Sequence, residues 1–438
     1  MNETLDQKIR YRTAVARAHS QVISGQSATM MVKETPAYSG RALQILPIVL
    51  GNLVLTFLTL GIYRFWAKTR IRRYFISRVS FLGDPLEYAG TGMELFKGFL
   101  IVLAIMVPLL TVIGIVQQLL FAPGADLLGA ALFQAGYILA ILFLYYVAWY
   151  RAQRYRLSRT SWRGIRGGQQ GSALVFALYA LGLGFLTLLT LGLAYPLMAR
   201  VLAGYRINRI CIGTETLRFS GGLWKLYAGW IVPWLLFVAY VVLFVYAAWQ
   251  LDLPTLLEQD PETIRDRLAG AFRGGLNSVS GSIYLALALI LAYLLASIWY
   301  SAFEARVWIN NTRFDRLELK SRLGMIHILV PYLSYMFVLL VAAAIVLGTG
   351  FAVHRNLSPE TKVAAMPFVP LAIYGVLAAL WLVEGIVKPL IIHNWLIRNF
   401  CKTTSIQGSF SPDRLFQNQL QIPRRGEGLA DALDVDAF

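Results

Sequence analysis

Few residues of this chain are placed to make or break a covalent bond, while many could hold charge at the edge of a membrane. Glu384 and Lys388 stand four positions apart in an apolar run, the spacing at which two side chains share a helix face and an ion pair offsets the burial of both. Ionisable groups at membrane depth are costly and commonly line a path, so Glu384 is the candidate for a carboxylate that contacts a substrate or coupling ion. A satisfied intrahelical pair is the plain alternative. Thr56, Thr59, Thr187 and Thr190 place hydroxyls in two further apolar stretches and join Glu384 and Lys388 as candidate path residues. Arg70, Arg73 and Arg78, set against Arg206 and Arg209, form a basic rim that could receive anionic head groups. Tyr63, Phe65, Trp66, Trp149 and Tyr150 flank these clusters, and simple anchoring at the interface explains the same pattern.

Enzymatic chemistry has no signature here. No His-Glu-x-x-His, Walker-type loop, Gly-x-Ser-x-Gly or Cys-x-x-Cys occurs. The histidines, His19, His327, His354 and His393, are dispersed, and Glu304 and Arg306 are expected at a helix end among head groups. The expectation is a protein without catalytic activity, cofactor or metal.

The elements that must position these residues are membrane segments. With 57% hydrophobic and only 14% charged residues, the chain departs from soluble composition and belongs in a bilayer. Its net charge of +17 could suggest nucleic acid, but the basic residues gather where apolar runs end, as they do on the cytoplasmic side of a polytopic protein. The expected partners are therefore membrane lipids with anionic head groups, and no nucleic acid. Both cysteines, Cys211 and Cys401, fall in such basic segments, where thiols stay reduced. The first thirty residues are polar, so no cleavable signal is expected and both termini are assigned to the cytoplasm of a bacterial inner membrane.

Apolar runs lie at residues 43–66, 96–120, 129–150, 172–199, 223–249, 280–304, 326–350 and 366–397. Two of them, 43–66 and 172–199, have basic connections at both ends, which a single crossing cannot reconcile with one positive side. Gly51-Asn52, Gly182-Leu183-Gly184 and Pro196 would permit these two to bend or break. The favoured fold is an all-α polytopic membrane protein of six spans and two re-entrant or bent segments, with eight simple spans as the alternative. Short alternating pieces such as Arg316-Leu317-Glu318-Leu319-Lys320 and Thr216-Leu217-Arg218-Phe219 add a small cytoplasmic β layer of hairpins.

Residues 41–98 align with 172–229 at an offset of 131 without a gap, sharing seventeen of fifty-eight positions. Gly51, Gly61 and Gly90 fall on Gly182, Gly192 and Gly221, so the alignment copies positions that set backbone shape. The organisation read from this is a flexible tail at 1–32, tandem repeats at 33–171 and 172–321, a truncated third unit at 322–421 and a tail at 422–438. Such a duplicated bundle favours binding or translocation of a lipid or other amphiphile. The competing class is a non-transporting scaffold that recruits a membrane protein partner, such as a membrane peptidase, through its cytoplasmic surface.

Two long blocks carry a family likeness. The run Leu58-Thr59-Leu60-Gly61-Ile62-Tyr63-Arg64-Phe65-Trp66-Ala67-Lys68-Thr69-Arg70 and the later Glu87-Tyr88-Ala89-Gly90-Thr91-Gly92-Met93-Glu94 resemble the YjgN family of multi-pass bacterial inner-membrane proteins. Thr160-Ser161-Trp162-Arg163-Gly164-Ile165-Arg166 resembles a further block, although Gly167-Gly168-Gln169-Gln170 then departs from the family pattern. The resemblance implies a location and an architecture and brings no catalytic residues.

The topology has a direct test. Single cysteines near positions 80 and 215 are expected to resist a membrane-impermeant maleimide in intact cells, while one near 125 reacts. Equal labelling at 80 and 125 would refute the shared basic face.

Overall fold

Strands of two to seven residues cannot stand alone, so each must find neighbours. The computed structural model describes residues 30–120, 127–250, 279–356, 375, 382–410 and 415–417. In it, eleven strands pair antiparallel into one sheet. In chain order they are β1 Met30–Glu34, β2 Ala37–Tyr38, β3 Val79–Phe81, β4 Asp84–Tyr88, β5 Thr160–Trp162 and β6 Ile165–Gln169. The series continues with β7 Ile210–Ile212, β8 Glu215–Phe219, β9 Thr312–Phe314, β10 Leu317–Ser321 and β11 Thr404–Phe410.

The all-α expectation with a small β layer is therefore corrected. The alternating pieces at 216–219 and 316–320 belong to hairpins, but the hairpins join edge to edge, β4 to β5 through Leu86 opposite Trp162 and β8 to β9 through Leu217 opposite Phe314. A sheet has no reason to stop at two strands while backbone donors at its edge remain unpaired. The spatial order is β1-β11-β10-β9-β8-β7-β6-β5-β4-β3-β2. Its two edge strands are thus consecutive in sequence, separated only by Thr35 and Pro36. Three peptide steps span at most ~11 Å. The sheet must curl until its edges approach, and Val32 of β1 packs in one cluster with Leu82 of the β3–β4 turn.

Curling gives the sheet an inside. Val32, Leu82, Trp162, Phe314, Leu317 and Phe410 are buried together there. Phe410 of β11 lies 6.4 Å from Phe81, 6.1 Å from Trp162 and 6.3 Å from Phe314, ring centre to ring centre, so one aromatic side chain touches three other strands. Trp162 Nε1 donates to the Phe81 carbonyl at 3.1 Å, which satisfies the indole inside the cluster.

Strand pairing also dictates where the helices go. α3 Gly92–Leu120 and α4 Leu127–Ser158 lie between the paired strands β4 and β5, so the excursion they make starts and ends on the sheet. The same holds for α7 Leu223–Gln250 and α8 Val279–Asn310 between β8 and β9. These four helices and α9 Met325–Asn356 contain the five stretches, among the described residues, that are long and apolar enough to cross a membrane. The remaining expected span, 366–397, is described only at residue 375 and over 382–397. After it, a π-helical turn at Pro389–His393 leads into α10 Asn394–Thr403 and β11.

The two ambiguous apolar runs become α1 Ala42–Leu58 and α5 Ala173–Leu189, each followed at once by a second helix, α2 Arg64–Ser77 and α6 Tyr195–Ile207. Seventeen residues of helix reach ~26 Å, short of the ~30 Å hydrocarbon core. Because β2 pairs with β3 and β6 with β7, each helix pair returns to the sheet it left. Single crossings at these two places would put paired strands on opposite sides of a bilayer. The helices are not interrupted at Gly51-Asn52 or at Gly182-Leu183-Gly184, and Pro196 sits in the first turn of α6, where its missing N–H does no harm.

The chain reverses instead at Thr-Leu-Gly. Leu60 and Gly61 take φ of 51° and 90°, and Leu191 and Gly192 take 48° and 89°. The Gly61 N–H reaches back to the Thr56 carbonyl at 2.7 Å and the Gly192 N–H to Thr187 at 2.7 Å, the long bond that closes a helix with a left-handed residue. Other bonds repeat at the same offset. Tyr74 Oη donates to the Arg41 carbonyl at 2.9 Å and accepts from its N–H at 3.1 Å, while Tyr205 Oη does so with Ser172 at 2.8 and 3.1 Å.

Gly61→Ala and Gly192→Ala are each expected to lower unfolding free energy in detergent by ~1–2 kcal/mol, the penalty of a Cβ in the left-handed region. Gly51→Ala, in mid-helix with open space around it, should leave stability unchanged or raise it.

Candidate functional site

The residues singled out by spacing divide according to what holds them. Thr59 and Thr190 are the pivots of the reversing turns. Each hydroxyl donates to the carbonyl four residues back, at 2.7 and 2.9 Å, and accepts from the N–H four residues ahead, Tyr63 at 2.9 Å and Ala194 at 3.0 Å. Thr187 Oγ1 donates to the Leu183 carbonyl at 2.7 Å, and Thr56 is buried between α1 and its turn. The hydroxyls of Thr59, Thr187 and Thr190 are thus engaged in shaping backbone. Glu384 and Lys388 do approach at 4.0 Å, but both side chains are more than a third exposed, so the pair is solvent-screened and weak.

The basic rim is occupied by the fold itself to a large extent. Arg73 donates to the Gly90 carbonyl at 3.2 Å, Arg200 to Gly221 at 2.9 Å, Arg398 to Gly40 at 3.1 Å, and Arg154 to Gly171. Those four glycines stand just before α3, α7, α1 and α5, so an arginine from a packed helix holds each passage from strand to helix. Gly90 and Gly221 are close approaches, since a Cβ would meet the ring of Tyr88 at 2.6 Å or of Phe219 at 2.3 Å. Arg70, Arg78 and Arg209 lie over Tyr63, Tyr74 and Tyr205 at 5.8, 5.4 and 3.6 Å. All these contacts of Arg73, Arg78 and Arg209 are made within their own helical units.

Arg206 is the exception, and it leads to the site. It projects from the last turn of α6 and lies 4.7 Å from the ring centre of Trp149 on α4 and 5.4 Å from that of Trp308 on α8. These aromatic groups wall a cavity of about 240 Å³. Tyr145 and Tyr146 of α4 and Phe176 of α5 form one side, while Tyr195, Met198 and Leu202 of α6 form the other. Ala199 and Ala203 leave the room by being small. Six residues before the end of α8, or ~9 Å beneath the sheet, Glu304 enters the same cavity.

Glu304 is only 5% exposed, which corrects its expected place among head groups. Tyr195 Oη donates to its Oε2 at 3.2 Å, but its Oε1 has no hydrogen-bond partner. Trp308 Nε1 is likewise buried without a partner. An orphaned buried carboxylate oxygen is costly, so its presence beside an orphaned donor and a stacked cation marks a place built for polar contact with something else. Behind it, Tyr195, Trp230 and Tyr300 pack at 4.7 and 4.9 Å, and Trp230 Nε1 donates to the Gly192 carbonyl at 2.9 Å, which fixes the α5–α6 turn against α7. The i, i+4 spacing of Glu304 and Trp308 is visible in sequence, but the approach of α6 that buries them is not.

Fold and site together define a polytopic membrane protein whose helical hairpins rise from one curled sheet, with an aromatic cavity where the two meet. A family model described as bacterial protein of unknown function (DUF898) matches residues 33–432, and the chain belongs to that family. It is 33% identical over 138 residues to the inner membrane protein YjgN of Salmonella typhimurium (strain LT2). That alignment covers 32% of this chain and 32% of the relative, so the match spans about a third of the relative's length. No solved structure matches the chain.

The two thiols lie away from the cavity, Cys211 on β7 and Cys401 on α10, both buried. Burial pushes each thiol above its ordinary pKa. Their alkylation by a small maleimide at pH 7.5 should therefore be at least several-fold slower than in the unfolded chain and should rise with pH. Labelling at the unfolded rate would contradict the packing.

Proposed function

We propose that this is an inner-membrane protein that binds an amphiphile, with the polar head in the α4–α5–α6–α8 cavity and the apolar tail against the outward helix faces. The observation that carries this reading is the cavity, which joins an orphaned buried carboxylate to walls of tyrosine and tryptophan just beneath the sheet. Aromatic rings with one polar edge suit a membrane interface, where one end of a ligand is wet and the other apolar. A volume near 240 Å³ accommodates a head group and leaves a long chain outside. The membrane helices support the same reading, because α3, α4, α7 and α9 are largely exposed along their apolar stretches and display leucine, isoleucine and valine there.

The relative's name as an inner membrane protein supports that location for this chain. The basic connections support a cytoplasmic sheet with both termini on that side, since Arg159, Arg163, Arg166, Arg206, Arg209 and Arg218 all lie in or beside the strands. The matching hydrogen bonds of α1–α2 and α5–α6 at one offset support descent of both units from a single duplicated ancestor.

Filling the cavity is the test. Met198→Trp is expected to reduce phospholipid retained on the purified protein, measured by native mass spectrometry, at least about fivefold, with the unfolding temperature kept. Unchanged lipid retention in a folded Met198→Trp protein would remove the cavity from any role in binding.

A further inference from the structure

Charge inside the cavity selects among amphiphiles, and its arrangement is specific. Glu304 presents an acceptor oxygen without a donor, buried to 5% exposure. A buried carboxylate oxygen of this kind is satisfied by an N–H donor, and a cationic donor satisfies both its hydrogen bond and its charge. Tyr145 and Tyr146 line the same space, and aromatic rings attract a cation. A wholly cationic guest, however, would meet Arg206, which lines the same wall. That guanidinium lies near Trp149 and Trp308 and sets a positive charge on this wall, which attracts a phosphate. Trp308 Nε1, buried and unpartnered, adds an uncharged donor for an oxyanion.

From this, resting on the amphiphile reading above, we infer that the cavity recognises a zwitterionic head group in which a primary ammonium is joined to a phosphodiester. The ammonium bonds Glu304 Oε1 and lies on the aromatic wall, and the phosphodiester lies toward Arg206 and Trp308. A quaternary ammonium lacks the N–H that Glu304 requires, and an anionic head without nitrogen leaves Glu304 unsatisfied. The first unit carries no counterpart of this site, because Phe75 aligns with Arg206 and packs its ring edge to face on His393 at 5.8 Å.

The experiment uses the full-length protein in detergent, delipidated and then titrated with phosphatidylethanolamine, phosphatidylcholine and phosphatidylglycerol of identical acyl chains, with occupancy read by native mass spectrometry. The expected result is an affinity for phosphatidylethanolamine about tenfold above the other two, the size of one charge-assisted hydrogen bond. Glu304→Gln, nearly isosteric, should bring the three lipids within about twofold of one another while lipid binding itself persists. Trp308→Phe should weaken all three by several-fold and leave their ranking intact, which a general loss of folding would not do. Equal binding of the three lipids by the unaltered protein, or a ranking unmoved by Glu304→Gln, overturns the inference and leaves the amphiphile reading standing. Retention of no phospholipid at all overturns both. Glycerophosphoethanolamine serves as the competing probe: displacement of lipid at equal concentration supports the recognition chemistry and assigns it to a soluble ligand, whereas weak displacement supports the membrane source.

Discussion

Hydrogen bonding between short antiparallel strands is the constraint on which this structure rests. A strand of three residues contributes too little to hold a helix in place, but eleven in one sheet share a single plane of attachment. Whatever leaves that plane must come back to it, because the next strand pairs with the last. The helical architecture follows: long excursions as hairpins across the apolar layer, short ones as pairs that dip and turn at Thr-Leu-Gly. The cavity is a by-product of the same rule. It forms where a short pair, α5–α6, is wedged between the sheet ends of α4 and α8.

The positive charge of the chain takes on a different meaning in this setting. Arginine at a membrane edge invites explanation by lipid phosphate or by orientation in the bilayer. Here four of them bond backbone carbonyls at the points where strands become helices. Those carbonyls lie at a change of direction, where neither ladder nor helix supplies a donor, and a long side chain with several donors fits irregular geometry. Excess of one sign is therefore partly a structural requirement of joining two kinds of secondary structure repeatedly.

Sequence made much of this legible, and the remainder has physical causes. Apolar length identifies α3, α4, α7, α8 and α9, and the double basic flanks of 43–66 and 172–199 signal that something other than a crossing occurs there. The strands are visible as fragments such as Leu317-Glu318-Leu319, yet their union is not, since about seventy residues separate β4 from β5 and period-two patterning carries no record of which edge meets which. Glycine and threonine matched at the 131 offset point to conserved shape, but hydropathy cannot say whether a helix breaks at Gly51 or reverses at Gly61. Glu384 drew attention because it sits in an apolar run, whereas Glu304 looks like an ordinary helix-end charge until Tyr195 and Arg206 are set beside it. Burial of a polar group depends on tertiary neighbours, and neighbours distant in sequence leave no local mark.

The seam between β1 and β2 bears on how the molecule is made. Two strands separated by a pair of residues occupy opposite margins of the sheet, and the partner that β1 needs, β11, follows all the other strands in chain order. Hairpins in the bilayer can assemble one after another during synthesis, but β1 must wait for its partner until β11 has been made. A chain that ends early keeps two open margins, each a template for another strand. Synthesis as far as β11 is thereby a condition for closing the sheet, and products arrested before it carry their own mark of incompleteness.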